Sequence, residues 1–210
     1  MLETVSIKTE LFFKNALIDL KVDNSRLELL KSIALFISDE IQTRNKININ
    51  FISPHNSRRS QLLQIWGNYA AHYFILKNIK SFSGGTAVTS FYRNTVKTLQ
   101  EVGFKFQISE FSHQNPKYII SYENCANPIK GFSKYFDDTH NEKPFIAIVS
   151  CSKTEKNCPM ISDTIKKFNL PYNDPTKYDN TLNKAEKYLE SNKQIAGEIH
   201  YIFKIIKQNI

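Results

Sequence analysis

Residues 47–66 decide the fold; they read ININFI, then SPHNSRRS, then QLLQIW. Residues 47–52 alternate and then turn apolar, which predicts a β-strand. Residues 53–60 are polar and predict a loop. The apolar residues that follow recur at helical spacing: Leu62, Leu63, Ile65, Trp66, Tyr69, Ala70 and Tyr73. A strand, a polar loop and a helix in succession form half of a βαβ unit, so this stretch predicts an α/β fold.

Further strands are predicted after this unit. Residues 79–82 and 118–122 are strand-like, and the continuous apolar run at 145–149 suits a buried parallel strand. The polar residues 123–143 predict a hairpin or an irregular excursion.

Two helices are predicted in the second half of the chain. The first covers residues 92–102 and is expected to end at Gly103, which takes the position of a C-terminal cap. The second covers residues 181–207. Its expected inner face is Ala185, Leu189, Ile195, Ile199 and Phe203.

The first 45 residues predict an N-terminal helical extension, which divides the chain into 1–45 and an α/β domain at 46–210. Ser25 and Glu28 have the spacing of a capping box. Apolar residues then recur every three or four positions: Leu27, Leu30, Ala34, Ile37 and Ile41.

Composition narrows the function classes. The 210 residues carry 28 basic and 20 acidic side chains, a net charge of +8, which favours anionic partners. The lysines are scattered and form no basic stripe with interleaved aromatic residues, so we expect no nucleic-acid partner. No apolar run reaches the length of a membrane span and the N-terminus lacks the pattern of a secretion signal, so we expect a cytoplasmic protein with no membrane partner.

The loop at residues 53–60 has the chemistry of an anion site. At the carboxyl end of a parallel strand, the N–H groups of a tight loop and of the next helix can bind a tetrahedral oxyanion. Arg59 adds a planar, bidentate donor. Ser60 can cap the helix or donate a hydrogen bond, and Asn56 tolerates the left-handed backbone conformation. A capped helix after a polar turn explains the same residues without a ligand.

Residues 51–61, followed by Trp66 and Gly67, resemble the phosphate-binding loop of the low-molecular-weight protein-tyrosine-phosphatase superfamily, and most closely that of the thioredoxin-coupled arsenate reductases. In that family a cysteine is followed by five residues and then by arginine and serine, which Arg59 and Ser60 match; Asn56 matches the usual loop asparagine. The resemblance continues through residues 83–86 and 96–104 and covers about 46–207. It implies an open four-stranded parallel sheet flanked by helices. It also implies an oxyanion-binding set of Pro54, His55, Asn56, Ser57, Arg58, Arg59 and Ser60.

One position departs from the family pattern. The nucleophilic cysteine of the family falls on Ser53. A serine hydroxyl is far less acidic than a thiol and is a poorer nucleophile, and no base adjoins it in the sequence. We therefore expect Ser53 to leave oxyanion binding intact and turnover poor or absent. Ser53 is either a replacement for a catalytic cysteine or the native residue of a phosphate-binding pseudoenzyme.

Cys151 and Cys158 are seven residues apart, with Pro159 following. Zinc ligands and buried bystander thiols are alternatives from the spacing alone, but no second pair of ligands occurs at zinc-finger spacing, so we expect no metal. The resemblance implies that Cys151 resolves an arsenic adduct and that Cys158 closes a disulfide, which a thioredoxin-like reductant later opens. Cys125 has no counterpart in that scheme.

Asp174 is the candidate general acid. Asp-Pro is also a common turn dipeptide, but the resemblance places the acid of the family here, and a loop carboxyl with a raised pKa can protonate a leaving oxygen. Asp179 is the second candidate, although its surroundings favour an N-terminal cap for the last helix. Tyr172 and Tyr178 flank Asp174 and could line the mouth of a phosphatase cleft.

The leading functional hypothesis is an oxyanion-binding, arsenate reductase-like protein that Ser53 makes inactive. Its catalytic set is Ser53, Arg59, Asp174, Cys151 and Cys158. The ligand is phosphate, sulfate, arsenate or a phosphorylated substrate, no other cofactor is expected, and the reductant is a thioredoxin-like protein. The alternatives are a protein-tyrosine phosphatase, a phosphate-binding pseudophosphatase, and a binding module that uses the N-terminal helices.

Overall fold

The computed structural model describes residues 8–151, 161 and 164–210. Its helices are α1 (Lys8–Ile18), α2 (Asn24–Thr43), α3 (Arg59–Tyr73), α4 (Arg93–Glu101) and α5 (Lys184–Gln208), with a short 3-10 helix at Pro175–Tyr178. Its strands are β1 (Ile47–Ile52), β2 (Ile79–Gly84), β3 (Lys105–Glu110), β4 (Lys117–Ser121), β5 (Ile129–Gly131), β6 (Ile146–Val149) and β7 (Lys166–Asn169). No helix within these described ranges is long and apolar enough to cross a lipid bilayer.

Four strands form the parallel sheet that the family resemblance implies. Their order is β2-β1-β6-β7, and every pair is parallel. Ile52 of β1 lies in register with Gly84 of β2 on one side and with Val149 of β6 on the other. The residues that follow these three strands therefore meet at one edge of the sheet.

The alternation of β1 follows from its two different faces. Ile47, Ile49 and Phe51 lie in the principal core, to which all five helices contribute. The intervening asparagines face the other side. There Asn48 donates to the carbonyl oxygen of Pro144 at 3.0 Å, and Asn50 donates to that of Phe136 at 2.8 Å. The side-chain nitrogens of both asparagines are thus bound by the irregular segment before β6, whereas their buried Oδ1 atoms accept no hydrogen bond within the described part of the chain.

The N-terminal helices share the principal core with the rest of the chain. Phe13 of α1 is fully buried, and its ring stacks on Trp66 at 5.4 Å and on His200 at 4.3 Å. Arg26 of α2 donates to both carboxylate oxygens of Glu198 in α5, at 3.0 and 2.7 Å. Glu198 is fully buried, and a charge removed from water requires such a partner.

Three sequence predictions about helix ends and faces are wrong. The cap of α2 is Asp23, whose side chain accepts from the Arg26 N–H, because Ser25 already lies in the helix. The last helix begins at Lys184 with Asn183 as its cap, so Asp179 lies outside it. Ala185 and Leu189 are exposed, because the first turns of α5 bury Tyr188 and Asn192 in their place. Gly103, by contrast, has a φ of +105° at the end of α4, as the sequence predicts.

Residues 105–131 build a second, antiparallel sheet in the order β3-β4-β5. Only its middle strand, β4, was evident in the sequence, at residues 118–122. The outer strands escape sequence analysis because β3 is largely solvent-exposed and β5 has three residues.

Candidate functional site

Ser53 is the first residue after β1, and its position is fixed by the neighbouring strands. Its N–H donates to the Gly84 carbonyl oxygen at 3.1 Å. On the other side of β1, the N–H of Ser150 donates to the Ile52 carbonyl oxygen at 2.8 Å. Ser53 is 3% exposed, so the site lies in a closed corner at the carboxyl edge of the sheet.

The Ser53 hydroxyl belongs to a buried hydrogen-bond chain. Its Oγ lies 2.8 Å from Oγ of Ser60, and Nδ2 of Asn56 donates to the same Ser60 oxygen at 2.9 Å. No histidine or carboxylate among the described residues makes a hydrogen bond with Ser53. The hydroxyl is therefore held by a neutral neighbour, and no base within the described ranges is placed to activate it.

Asn56 sets the shape of the loop. Its φ of +44° is the left-handed conformation that asparagine tolerates better than most residues. Its Oδ1 accepts from the backbone N–H of Lys134 at 2.9 Å and from Nε2 of Gln61 at 3.2 Å. Gln61 also donates to the Asn56 carbonyl oxygen at 3.0 Å, so one buried glutamine braces the loop from inside the helix.

The backbone N–H groups of the loop are free to bind a ligand. Those of residues 55–58 donate no hydrogen bond to any acceptor in the described part of the chain. They lead directly into the N-terminus of α3, where the cap residue, Arg58, makes no side-chain hydrogen bond to the first N–H groups of the helix. Ser60 does not cap the helix. Successive free N–H groups at a helix N-terminus form an anion-binding concavity.

Arg59 begins α3 and is 3% exposed. Its Nη1 donates to the carbonyl oxygens of Ser150 and Tyr172, at 3.3 and 3.1 Å. Its Nη2 donates to Oδ2 of Asp174 at 2.6 Å. The structure thus brings together the arginine and the acid that the sequence singles out.

Asp174 caps the short 3-10 helix and is a carboxylate in this arrangement. Its Oδ1 accepts from N and Oγ1 of Thr176, at 2.9 and 2.5 Å. Burial acts to raise the pKa of this carboxyl, but the Arg59 charge and the Thr176 hydrogen bonds outweigh it, so the pKa lies below its ordinary value. A general acid at this position would need a raised pKa; the direction is opposite here because the guanidinium is already paired with the carboxylate.

The Arg58 guanidinium points away from the loop. Its Nη2 donates to Oδ2 of Asp179 at 2.8 Å, its Nε donates to the Tyr188 hydroxyl at 2.8 Å, and it lies 3.9 Å over the Tyr92 ring. Only the backbone N–H of Arg58 is therefore a candidate ligand donor. Asp179, the second acid candidate, is bound by Arg58 and by the Tyr188 hydroxyl at 2.6 Å.

The other loop residues act through their backbone. The Pro54 carbonyl oxygen accepts from the N–H groups of Thr86 and Ala87, both at 3.0 Å. The His55 side chain is exposed, and its carbonyl oxygen accepts from Thr89 and Ser133. The Ser57 carbonyl oxygen accepts from the Tyr92 N–H at 3.1 Å.

Gly85 packs directly against this loop. A Cβ on Gly85 would lie 2.8 Å from both the Asn56 nitrogen and the Pro54 carbonyl oxygen. Backbone atoms cannot yield at that distance without moving the loop. Glycine is required at position 85 because the loop backbone lies too close for any side chain.

Cys151 lies at the same edge of the sheet, two positions beyond the end of β6, and is 2% exposed. Because Ile52 and Val149 are in register, Cys151 follows its strand much as Ser53 follows β1. Cys151 is disulfide-bonded, while Cys158 lies outside the described residues. Cys125 is a free cysteine packed beside the principal core.

Two parts of the site differ from what the sequence indicates. Tyr172 was a candidate for the cleft mouth, but it is 7% exposed and its hydroxyl donates to Glu198 at 2.6 Å. Gln61 and Lys134 were not singled out, because a polar residue in an amphipathic helix and a lysine in an irregular segment carry no signal in the sequence.

No cluster of three or more metal-ligating side chains occurs within the described ranges.

No protein-family model matches this chain, and no curated protein matches its sequence. Among solved structures, the thioredoxin-dependent arsenate reductase of Corynebacterium glutamicum is similar with a TM-score of 0.45 and 16% identity, over 95% of this chain and 84% of that one. The low-molecular-weight phosphotyrosine phosphatase of Vibrio cholerae O395 is similar with a TM-score of 0.41 and 12% identity, over 74% of this chain and 93% of that one.

Proposed function

We propose that this chain binds a tetrahedral oxyanion in the loop at residues 53–59, and that it is an arsenate reductase-like protein in which Ser53 stops turnover. The observation that carries the proposal is the run of N–H groups at residues 55–58 that donate to no acceptor in the described chain, ahead of the buried Arg59. Phosphate, sulfate and arsenate share the geometry and charge that such donors bind.

Ser53 limits this protein to binding. Covalent attack on phosphorus or arsenic requires an activated nucleophile, and the Ser53 hydroxyl is hydrogen-bonded to another hydroxyl rather than to a base. A cysteine at this position would lie beside the same N–H groups, which favour a thiolate.

The position of Cys151 supports the arsenate-reducing branch. It follows the strand next to β1, so it lies on the side of the sheet edge from which a second thiol could attack an adduct on residue 53. With cysteine at position 53, arsenic acid and two thiols would give arsenous acid, a disulfide and water. A thioredoxin-like dithiol would then reduce the disulfide.

Anion binding is tested first, by isothermal titration of the unaltered protein with inorganic phosphate and arsenate. We expect saturable binding of one anion. Arg59→Lys should weaken it at least tenfold, about 1.4 kcal/mol, because the planar double donor is lost. Arg58→Lys is the matched control: its guanidinium is bound to Asp179 and its backbone N–H is kept, so the loss should stay below about threefold. Equal losses in both variants, or no binding at all, would contradict the proposal.

Chemistry is tested in the Ser53→Cys variant. Arsenate reduction is followed in the presence of thioredoxin, thioredoxin reductase and NADPH, and compared with hydrolysis of p-nitrophenyl phosphate. We expect reduction in Ser53→Cys and none in the unaltered chain. Adding Cys151→Ser should abolish reduction; unchanged reduction would rule out the relay.

A tyrosine phosphatase is the second candidate, and one observation favours it. Tyr178 lies in the same helical turn that Asp174 caps and remains partly exposed. In that case Ser53→Cys would hydrolyse the aryl phosphate with and without Cys151, and arsenate would be only a competitive inhibitor.

A further inference from the structure

A cleft of about 970 Å³ lies along β2, from Ile79 at the start of the strand to Lys134, whose carbonyl oxygen accepts from the N–H of Gly85 just after its end. It is bounded by α3, by β2 and by the segment that joins β4 to β5, and we call it the β2 cleft. Its apolar lining includes Ala71, Leu76, Phe82, Tyr122, Pro128 and Phe132. The volume lies within the range of pockets that hold a small organic molecule.

Lys134 is the buried cation of the β2 cleft. Its side chain lines the cleft, is 3% exposed, and places Nζ 4.8 Å from the centre of the Phe132 ring. Nζ makes no hydrogen bond or ion pair within the described part of the chain. A buried ammonium without a hydrogen-bonded anion is costly, so such a group marks a place where an anion would be bound strongly.

The charge of the lining has the same sign. Lys77, Lys80 and Lys130 line the cleft with Lys134, and Glu142 is the one carboxylate among the described lining residues. Glu142 is already bound by Lys46 and Lys80. Burial also lowers the pKa of Lys134 to about 8, so the amine is still charged at neutral pH.

We propose that the β2 cleft binds a small organic anion with an apolar, ring-sized body, whose acid group pairs with Lys134. The apolar walls would take the body of the ligand, and Lys134 would select molecules that carry a negative charge. None of residues 53–60 lines the β2 cleft, so it is a second site beside the oxyanion loop, to which it is joined where the Lys134 N–H donates to Oδ1 of Asn56.

The site is tested with a pair of probes that differ only in charge. 8-Anilinonaphthalene-1-sulfonate and N-phenyl-1-naphthylamine share the same ring system, and both fluoresce in an apolar environment. We expect one saturable site on the unaltered protein, with the sulfonate bound at least tenfold more tightly than the neutral probe. Equal affinities would overturn the proposal without the need for any variant.

Two variants then test which lysine causes the preference for the charged probe. Lys134→Met should remove the preference for the sulfonate and leave affinity for the neutral probe within about threefold. Lys130→Met removes an exposed lysine of the same lining and is the matched control, expected to change the preference less than threefold. An unchanged preference in Lys134→Met would overturn the proposal. So would displacement of the sulfonate by millimolar inorganic phosphate, because that would place the probe in the oxyanion loop.

Discussion

Nη2 of Arg59 lies 2.6 Å from Oδ2 of Asp174, although the two residues are 115 positions apart in the chain. The same guanidinium is also held by two backbone carbonyl oxygens, those of Ser150 and Tyr172. The strongest cation of the proposed anion site is thus paired with a carboxylate of the protein itself. An entering oxyanion must share Arg59 with Asp174.

This pairing predicts that Asp174→Asn increases anion affinity. The neutral amide neither repels an oxyanion nor holds the guanidinium as strongly as a carboxylate does. We expect phosphate to bind about 3- to 10-fold more tightly by isothermal titration, a change of about 0.7–1.4 kcal/mol. In the Ser53→Cys background the same change should lower aryl phosphate hydrolysis, because a bound oxyanion takes up the Arg59 charge that lowers the Asp174 pKa, so that this carboxyl can carry a proton to the leaving oxygen and an amide cannot. Weaker phosphate binding by Asp174→Asn would show that the carboxylate helps to build the site instead.

The pairing also predicts a stability effect that depends on acid pH. The pKa of Asp174 in the folded protein lies below the ordinary value of 3.8. The ionised carboxylate therefore stabilises the fold fully above pH 3.8, and this stabilisation is lost as the pH falls through the folded pKa. At pH 7, Asp174→Asn should cost about 1 kcal/mol, because the side chain is 34% exposed and solvent screens the pair. In urea unfolding the difference should shrink between pH 4 and pH 2. A difference that stays constant with pH would exclude the ion pair as its source.

Gly85 predicts a steric effect on the loop. A Cβ at this position would meet the Asn56 nitrogen and the Pro54 carbonyl oxygen at 2.8 Å, so Gly85→Ala must displace the loop. We expect phosphate affinity to fall at least tenfold, about 1.4 kcal/mol, as measured by isothermal titration. Ala87→Gly, two residues away, removes a methyl group instead and is the control that should retain most of the affinity. Binding that is equally strong in Gly85→Ala would contradict the close packing described here.

The burial of the Lys134 ammonium predicts that replacing this lysine makes the protein more stable. The folded pKa of about 8 lies below the ordinary 10.5, because burial outweighs the attraction of Asp138. Between about pH 8 and pH 10.5 the folded chain has released the Lys134 proton while the unfolded chain still holds it. The free energy of unfolding therefore rises with pH across this interval. Lys134→Met should therefore gain about 3 kcal/mol below pH 8, a gain that disappears near pH 10.5. Chemical denaturation at pH 7 and at pH 10.5 measures the gain and its disappearance. If Lys134→Met were less stable than the unaltered protein at pH 7, the ammonium would be stabilising the fold.

Local features were predictable from the sequence because they depend on neighbours in the chain. The apolar alternation of β1, the polar loop after it and the helical spacing from Leu62 onward identify one strand, one loop and one helix at nearly their observed bounds. Gly103 ends α4 with a positive φ, a conformation that glycine adopts at no steric cost because it has no Cβ. The position of Ser53 after a buried strand follows from the same local pattern.

The sequence singles out Arg59, but only the tertiary structure decided what the side chains of Arg58 and Arg59 contact. Arg58 is the cap before α3, with a φ of −129° and a ψ of −85°, whereas Arg59 is the first helical residue, so the two side chains leave the start of α3 in different directions. Arg58 meets Asp179 and Tyr188, whereas Arg59 meets Asp174. Those partners come from distant segments that no periodicity in the sequence relates. The chain alone specifies a polar loop between β1 and α3; the packing of residues 172–188 against it decides which charged groups its two arginines meet.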